Sequence, residues 1–407
     1  MMELLDITEK ALEKELCDHC LGRLFAQLGH GLTNKERGKA LRVFYSMAKT
    51  EDEPFEVPEA SDNCSVCDNI FKELDHFASL IVEELEPFEF ETFLVGTRVD
   101  PEIEENEELL WSELNVSTSK PIKSELNREI GKTVLEKIDA EPDLKRPDVK
   151  AILDTRFDTV EIELAPLFVY GRYRKLERGI PQTRWLCKKC WGKGCEHCDG
   201  KGKMYGTSVE EIVGEPLKEM SFGEDFTLHG MGREDIDAKM LGNGRPFVME
   251  IKNPIKRSID LDMFKEEVEV DDRVEVDSLC FVERKKIEEI KEAAVDKTYR
   301  VKIILSSNVE RGKYKKVLHS LKGTKISQRT PQRVSHRRSD KVRTRELKDI
   351  RLERHEKEVS ELVLRCESGT YVKELIHGDD GRTKPNLAEL LGVDCDVEEL
   401  DVLKVHY

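Results

Sequence analysis

Three short segments carry residue types that suit nucleophilic and acid–base chemistry. Asp235 stands in GREDIDAKMLGNGRPF, in a strand-to-loop context. Tyr299 stands in KTYRV, at the start of a strand-like run. Lys373 stands in CESGTYVKELI, where Gly369 ends a strand and Tyr371 to Ile376 begin a helix-like turn. A carboxylate must be ionised to attack. A neighbouring cation holds its pKa down, and Lys373 is the candidate. Tyr299 offers an aromatic face for stacking. Each segment alone has a plainer reading: a capping carboxylate, a half-buried strand tyrosine, an exposed lysine at a strand end. A fourth segment, QRTPQRVSHRR at 328–338, reads alone as a basic loop.

Eight of the eleven cysteines fall into CxxC pairs. Cys17–Cys20 and Cys64–Cys67 are two of them. Cys187–Cys190 and Cys195–Cys198 lie in CKKCWGKG and CEHCDGKG, a repeat of period eight. A CxxC turn supplies two ligands from one knuckle, and zinc takes four in a tetrahedron. Two structural zinc sites are therefore expected. The alternatives are buried free thiols for the first set and an iron–sulfur cluster for the second, with His197 as a substitute ligand. Cys280, Cys366 and Cys395 stand alone and read as small buried apolar residues.

These residues need elements to position them, and 407 residues at 38% hydrophobic content allow two or three cores. No run of eighteen apolar residues is present, so no membrane partner is expected. The N-terminus MMELLDITEKALEKEL lacks a signal-peptide pattern, so a cytoplasmic protein is expected. The net charge of −17 is unevenly spread. Residues 51–113 hold 21 acidic and 2 basic side chains, and residues 311–354 hold 16 basic and 4 acidic ones. The second block would attract a polyanion.

Apolar spacing predicts helices over 7–49, with a break at Gly29–Gly31, and over 70–86 and 121–138. FEFETFLVGTRV alternates like a strand. VKAILDTRFDTVEIELAPLFVYGRYRKL reads as two strands with a break at Pro166, and RGIPQTRW as a connector. From Ser208 strands dominate: FTLHGMGRE, RPFVMEIK, RVEVDSLCFV, YRVKIILS, EVSELVLRCES and EELDVLKVHY. ERKKIEEIKEAA and TKPNLAELLG read as helices, and 310–356 as a loop or arm. The expected division is a helical part with CxxC pairs at 1–69, an α+β module at 70–180, a four-cysteine knuckle at 181–206 and a catalytic domain at 207–407.

Taken together, GREDID, KTYRV and GTYVKEL resemble the motifs of pseudouridine synthases. CDHCLGRLF, FLVGTRV, PLFVYGRYRKLERGIPQTRW, GREDIDAKMLGNGRPF, QRTPQRVSHRR and GTYVKELIHGDDGRT resemble the archaeal and eukaryotic branch that acts on the tRNA T-loop. The bacterial-type motif has Gly-Val after the aspartate, whereas Ile236-Asp237 follows here. The resemblance implies an α+β protein with a catalytic domain on a mixed, mostly antiparallel sheet, and a THUMP-type N-terminal module. It implies Asp235 as nucleophile, Tyr299 stacked on the target uracil and Lys373 paired with Asp235, with no cofactor for catalysis. Isomerising uridine breaks the C1′–N1 bond, turns the base and joins C1′ to C5, without redox change. Tyr299 could also take the C5 proton. The uridine must leave its stack to be reached. Tyr371 would contact the nucleotide, Arg233 would fill the vacated space or grip phosphate, and Arg337 and Arg338 would hold phosphates. A monomer acting on the T-arm at positions 54 and 55 is expected, with Leu400 or Val402 lining the pocket or serving as plain core. The competing readings are a THUMP-bearing methylase or thiolase, for which no G-x-G-x-x-G or Walker loop is found, and a non-catalytic zinc protein that binds RNA.

Overall fold

The computed structural model describes residues 2–49, 56–335 and 339–407. The chain forms two compact units, 1–165 and 166–407. Among the described residues, no helix is long and apolar enough to cross a membrane.

The first unit begins with α1 (Met2–Leu12), α2 (Asp18–Leu24) and α3 (Asn34–Lys49). α2 and α3 meet backbone to backbone. A Cβ on Gly22 would lie 1.8 Å from the Asn34 carbonyl, and one on Gly38 2.0 Å from that of Asp18. There follow α4 (Leu74–Leu85), β1 (Thr92–Arg98), α5 (Pro101–Leu114), α6 (Ile122–Leu135), β2 (Glu141–Pro142), β3 (Val149–Asp154) and β4 (Thr159–Leu164). The sheet order is β2-β1-β3-β4, with β1 parallel to β2 and β3. α6 presents Ile122, Leu126, Ile130 and Val134, all fully buried, at four-residue spacing. Sequence periodicity missed α5, which the Asp100 cap and Pro101 at its first turn start. The expected part at 1–69 and the expected 70–180 module, as far as Leu164, share one apolar core.

The second unit holds β5 (Leu167–Lys175), α7 (Val209–Ser221), β6 (Asp225–Gly230), β7 (Lys239–Lys252), α8 (Leu261–Glu269), β8 (Val274–Phe281), α9 (Lys285–Glu292) and β9 (Lys297–Leu305). α10 (Arg311–Leu321), β10 (Thr324–Arg329), β11 (Val342–Glu356), β12 (Val359–Cys366), α11 (Val372–His377), β13 (Thr383–Lys384), α12 (Leu387–Leu391) and β14 (Cys395–Val405) complete it. Ten strands run β13-β10-β11-β12-β9-β14-β7-β5-β8, with β6 paired to β7. β14 and β7 are parallel, and every other pairing in this sheet is antiparallel. The sheet is thus mixed and mostly antiparallel, as the α+β reading anticipated.

Two boundaries differ from expectation. β5 was expected in the N-terminal module ending at 180, but it bonds between β7 and β8, so the division falls at 165/166. The basic stretch at 310–356 was expected as a loop or arm. Its described residues form α10, β10, the short 3-10 turn Gln332–Val334 and β11 instead. α7 and α8 were also not foreseen.

Candidate active site

Asp235 lies in the connection between β6 and β7, and the chain clamps this loop from several sides. Glu234 turns inward, where its carboxylate accepts the Tyr173 hydroxyl at 2.8 Å and Arg245 Nε at 2.8 Å. Both partners of the Glu234–Arg245 pair are buried. Arg245 Nη1 also donates to the Met231 carbonyl at 2.7 Å. Gln182 Nε2 donates to the Gly232 carbonyl and to the Tyr173 hydroxyl. Buried Lys175 donates to the Ile180 carbonyl at 2.8 Å and to those of Ile236 and Asp235 at 3.1 and 3.3 Å. Burial lowers the Lys175 pKa. Arg178 Nη1 bonds the Asp237 and Leu400 carbonyls. The segment read as a connector, RGIPQTRW, is therefore part of the loop's support. With one inward and one outward carboxylate, the loop aims Asp235 at a cleft of about 660 Å³.

The cleft brings together Arg233, Asp235, Lys297, Tyr299, Arg333, Tyr371, Lys373, Leu400 and Val402 among its lining. β9 supplies Tyr299, which pairs with Val402 of β14 and Leu364 of β12. Burial, with the Cys366 thiol and the Asp235 carboxylate adding to it, pushes the Tyr299 phenol well above its ordinary value. Lys373 sits in the first turn of α11, and Tyr371 precedes that helix. The Tyr371 backbone is held by Gln328, at 2.9 Å through both its N–H and its carbonyl. Arg233 is exposed at the cleft mouth. Arg337 and Arg338 lie outside the described residues.

The cation nearest Asp235 is not the one expected. Arg333 Nη1 lies 3.1 Å from Asp235 Oδ2, on the short 3-10 turn Gln332–Val334. Its Nε is fixed at 2.7 Å by Glu374, which is buried in α11. Lys373 Nζ lies 3.7 Å from Asp235 Oδ2 and 2.6 Å from Asp237 Oδ2. Partial burial pushes the Asp237 carboxyl up, but Lys373 bonded to it and Arg333 nearby outweigh this and hold it below the usual carboxylate range. Burial works against the charge on Arg333, yet Glu374 and Asp235 raise its pKa further. Two cations are thus shared among three carboxylates. The sequence held Arg333 inside QRTPQRVSHRR, but nothing in that string separates it from the other arginines. Lys297 was also missed. It is 9% exposed, and burial beside Arg245 lowers its pKa to about 8. Among the described residues no hydrogen-bond acceptor reaches its ammonium.

Both cysteine sets assemble. Within each, the four sulfurs lie within 4.8 Å of one another. Cys17 and Cys67 sulfurs are 3.7 Å apart, and those of Cys187 and Cys195 are 3.8 Å apart, as are those of Cys190 and Cys198. A disulfide would need about 2.05 Å. Ligand bonds of about 2.3 Å in a tetrahedron put sulfurs about 3.8 Å apart, so each set fits one ion. Arg23 donates to the Cys20 sulfur at 3.4 Å and is itself held by buried Glu107 and Glu125, which stiffens the first set. His197 is exposed and stands apart from the second set.

Comparison with known proteins places this geometry. The family described as "Pus10, C-terminal" matches residues 168–406, and "Pus10 THUMP domain, archaeal" matches residues 77–154. A protein of Methanothrix thermoacetophila named tRNA pseudouridine synthase Pus10 is 44% identical over 96% of this chain and 91% of its own. Proteins of the same name from Halorubrum lacusprofundi and Pyrococcus furiosus are 41% and 40% identical. They cover 99% and 98% of this chain and 96% and 98% of their own lengths. The chain belongs to the Pus10 family of tRNA pseudouridine synthases.

Proposed function

We propose that this chain isomerises uridine to pseudouridine in the T-loop of tRNA, at positions 54 and 55, with Asp235 as the attacking carboxylate. The observation that carries the reading is the aim of Asp235. It is the carboxylate that the clamped loop turns into the cleft, with the Arg333 guanidinium 3.1 Å away. Tyr299 supplies a ring for the flipped uracil. Its phenol, whose pKa burial raises, is the group proposed to take the C5 proton late in the reaction. Lys373 orients Asp237 and approaches the same Oδ2 of Asp235 that Arg333 meets, and Tyr371 and Arg233 meet the nucleotide at the cleft mouth. Arg337 and Arg338 contact phosphate in this reading. The two cysteine sets hold structural zinc, which fixes local folds and takes no part in the reaction. The protein acts as a cytoplasmic monomer on the T-arm.

A T-arm transcript, incubated with the protein and no added cofactor, tests the reading. Pseudouridine should appear at 54 and 55. Asp235→Asn should form none while still binding the transcript. Turnover by Asp235→Asn, or modification confined to other positions, would overturn it.

A further inference from the structure

The knuckle at 187–198 presents one residue that its own folding does not account for. Its halves repeat with period eight, so Trp191 corresponds to Asp199. Both positions adopt left-handed backbone, with φ of 51° and 49°. Aspartate tolerates that region because its short polar side chain bonds locally. A bulky aromatic there is an outlier that calls for a reason. Burial is not the reason, because Trp191 is 78% exposed. Nor is ring packing: the aromatic pair at the knuckle's base is Trp185 with Tyr205. Close to Trp191 in the sequence are exposed Lys188, Lys189, Lys193 and Lys201, with no ion pair among the described residues, while Lys203 is tied to Glu211. In a chain of net charge −17, this short segment is positive.

The knuckle is also rooted at the cleft. Gln182, which lines the cleft and bonds Gly232, lies three residues before Trp185. There the stem closes by the Met204 N–H on the Trp185 carbonyl and by the Leu186–Lys203 bridge. Three residues span at most about 10 Å. A polynucleotide in the cleft therefore passes within reach of the stem.

We propose that the knuckle is a second RNA-binding surface, on which Trp191 stacks against an unstacked base and Lys188, Lys189 and Lys193 lie against neighbouring phosphates. An exposed ring among lysines is the arrangement that grips single-stranded nucleic acid without reading sequence. The inference rests on RNA being the substrate. In this arrangement the two CxxC turns do not only brace the fold: they hold an aromatic side chain out in solvent at a backbone angle it would not choose.

The test uses the full chain as Trp191→Ala, Trp191→Phe and a triple variant, Lys188→Gln with Lys189→Gln and Lys193→Gln. Metal content, affinity for a tRNA transcript across salt, KM and kcat are read for each. Trp191→Ala should bind about ten-fold or more weakly, with kcat at saturating tRNA unchanged, and Trp191→Phe should recover most of the loss. The triple variant should lower the slope of log affinity against log salt by roughly 0.7–0.9 per phosphate contact removed. Wild-type affinity in metal-loaded Trp191→Ala, the result expected of a protein-docking face, would overturn the proposal. So would a Phe variant as weak as the Ala variant, or an unchanged salt slope. Should Trp191→Ala lose its metal, the lysine variant decides, since it removes no packing. Absence of pseudouridine from the wild-type reaction would sink the proposed function alone, because the binding series still decides the knuckle.

Discussion

Lys297→Met should make the protein more stable at neutral pH and less active. The wild-type ammonium is enclosed beside Arg245 with no acceptor among the described residues, and its pKa falls from 10.5 to about 8. At about 1.4 kcal/mol per pH unit, that gap is about 3 kcal/mol. The sign follows from proton binding. Between pH 8 and 10.5 the unfolded chain keeps the lysine proton that the folded chain has lost, so this group makes wild-type stability rise with pH across that window. Below pH 8 the folded protein carries the full cost of the buried charge. Methionine keeps the unbranched apolar stem and removes the charge. Its advantage should approach about 3 kcal/mol at pH 6.5, shrink as pH rises through 8 and vanish above 10.5. Urea unfolding of both proteins across this range measures the difference, in which groups common to both cancel. Turnover should fall, because a cost of this size at a cleft wall is kept where the ammonium meets substrate. Equal stability at pH 6.5, or an advantage that ignores pH, would refute the reasoning.

Arg245→Met should destabilise the second unit by about 3–5 kcal/mol, because it leaves Glu234 buried and unpaired. The double variant with Glu234→Gln should recover part of that loss, and additive losses in a thermal-melt cycle would count against the pair. Arg333→Ala should lower kcat roughly 10- to 150-fold with tRNA affinity little changed, from loss of a charge-assisted bond to Asp235. A drop in affinity alone would make Arg333 a phosphate contact instead. Elemental analysis should find two zinc ions per chain, and Cys20→Ser should cost one of them and lower the melting temperature. Metal-free protein with wild-type melting would remove both zinc assignments.

The three residues proposed for the cleft, Asp235, Tyr299 and Lys373, were legible because each sits where a local pattern changes. Asp235 follows a strand, Tyr299 is near the start of one, and Lys373 opens a helix after Gly369. Such junctions recur at the ends of sheet strands, where side chains from distant segments converge. Arg333 was not legible, since one arginine in a block of sixteen basic residues has no local mark. Only the seating of the 3-10 turn against α11 picks it out. The same block hid β10 and β11, because charged residues occupy both faces of β11 and blur its alternation. α7 carries Gly214 and Pro216, residue types that interrupt a helical pattern. Gly214 is in fact where the Phe226 ring packs, with a Cβ there 2.2 Å from it. The Ser208 cap and Glu211 three residues on were a start signal available in the sequence.

The charge arrangement separates chemistry from grip. Glu234 and Arg245 cancel in the buried clamp, and Lys175 is committed to backbone carbonyls. Arg333 and Lys373 are shared with Asp235, Asp237 and Glu374, so they hold the carboxylates rather than attract a polyanion. Among the described residues, that leaves Arg233 and Lys297 as the uncommitted cations of the cleft, the latter half-neutral near pH 8. A tRNA carries far more charge than two side chains can balance, and affinity for such a polymer scales with the phosphates neutralised. The cleft can therefore discriminate a flipped base, but it cannot supply most of the binding. In the readings proposed above, that comes from basic residues outside it, Arg337, Arg338 and the knuckle lysines among them. Variants at those positions should change KM and its salt dependence, whereas variants at Asp235 and Arg333 change kcat.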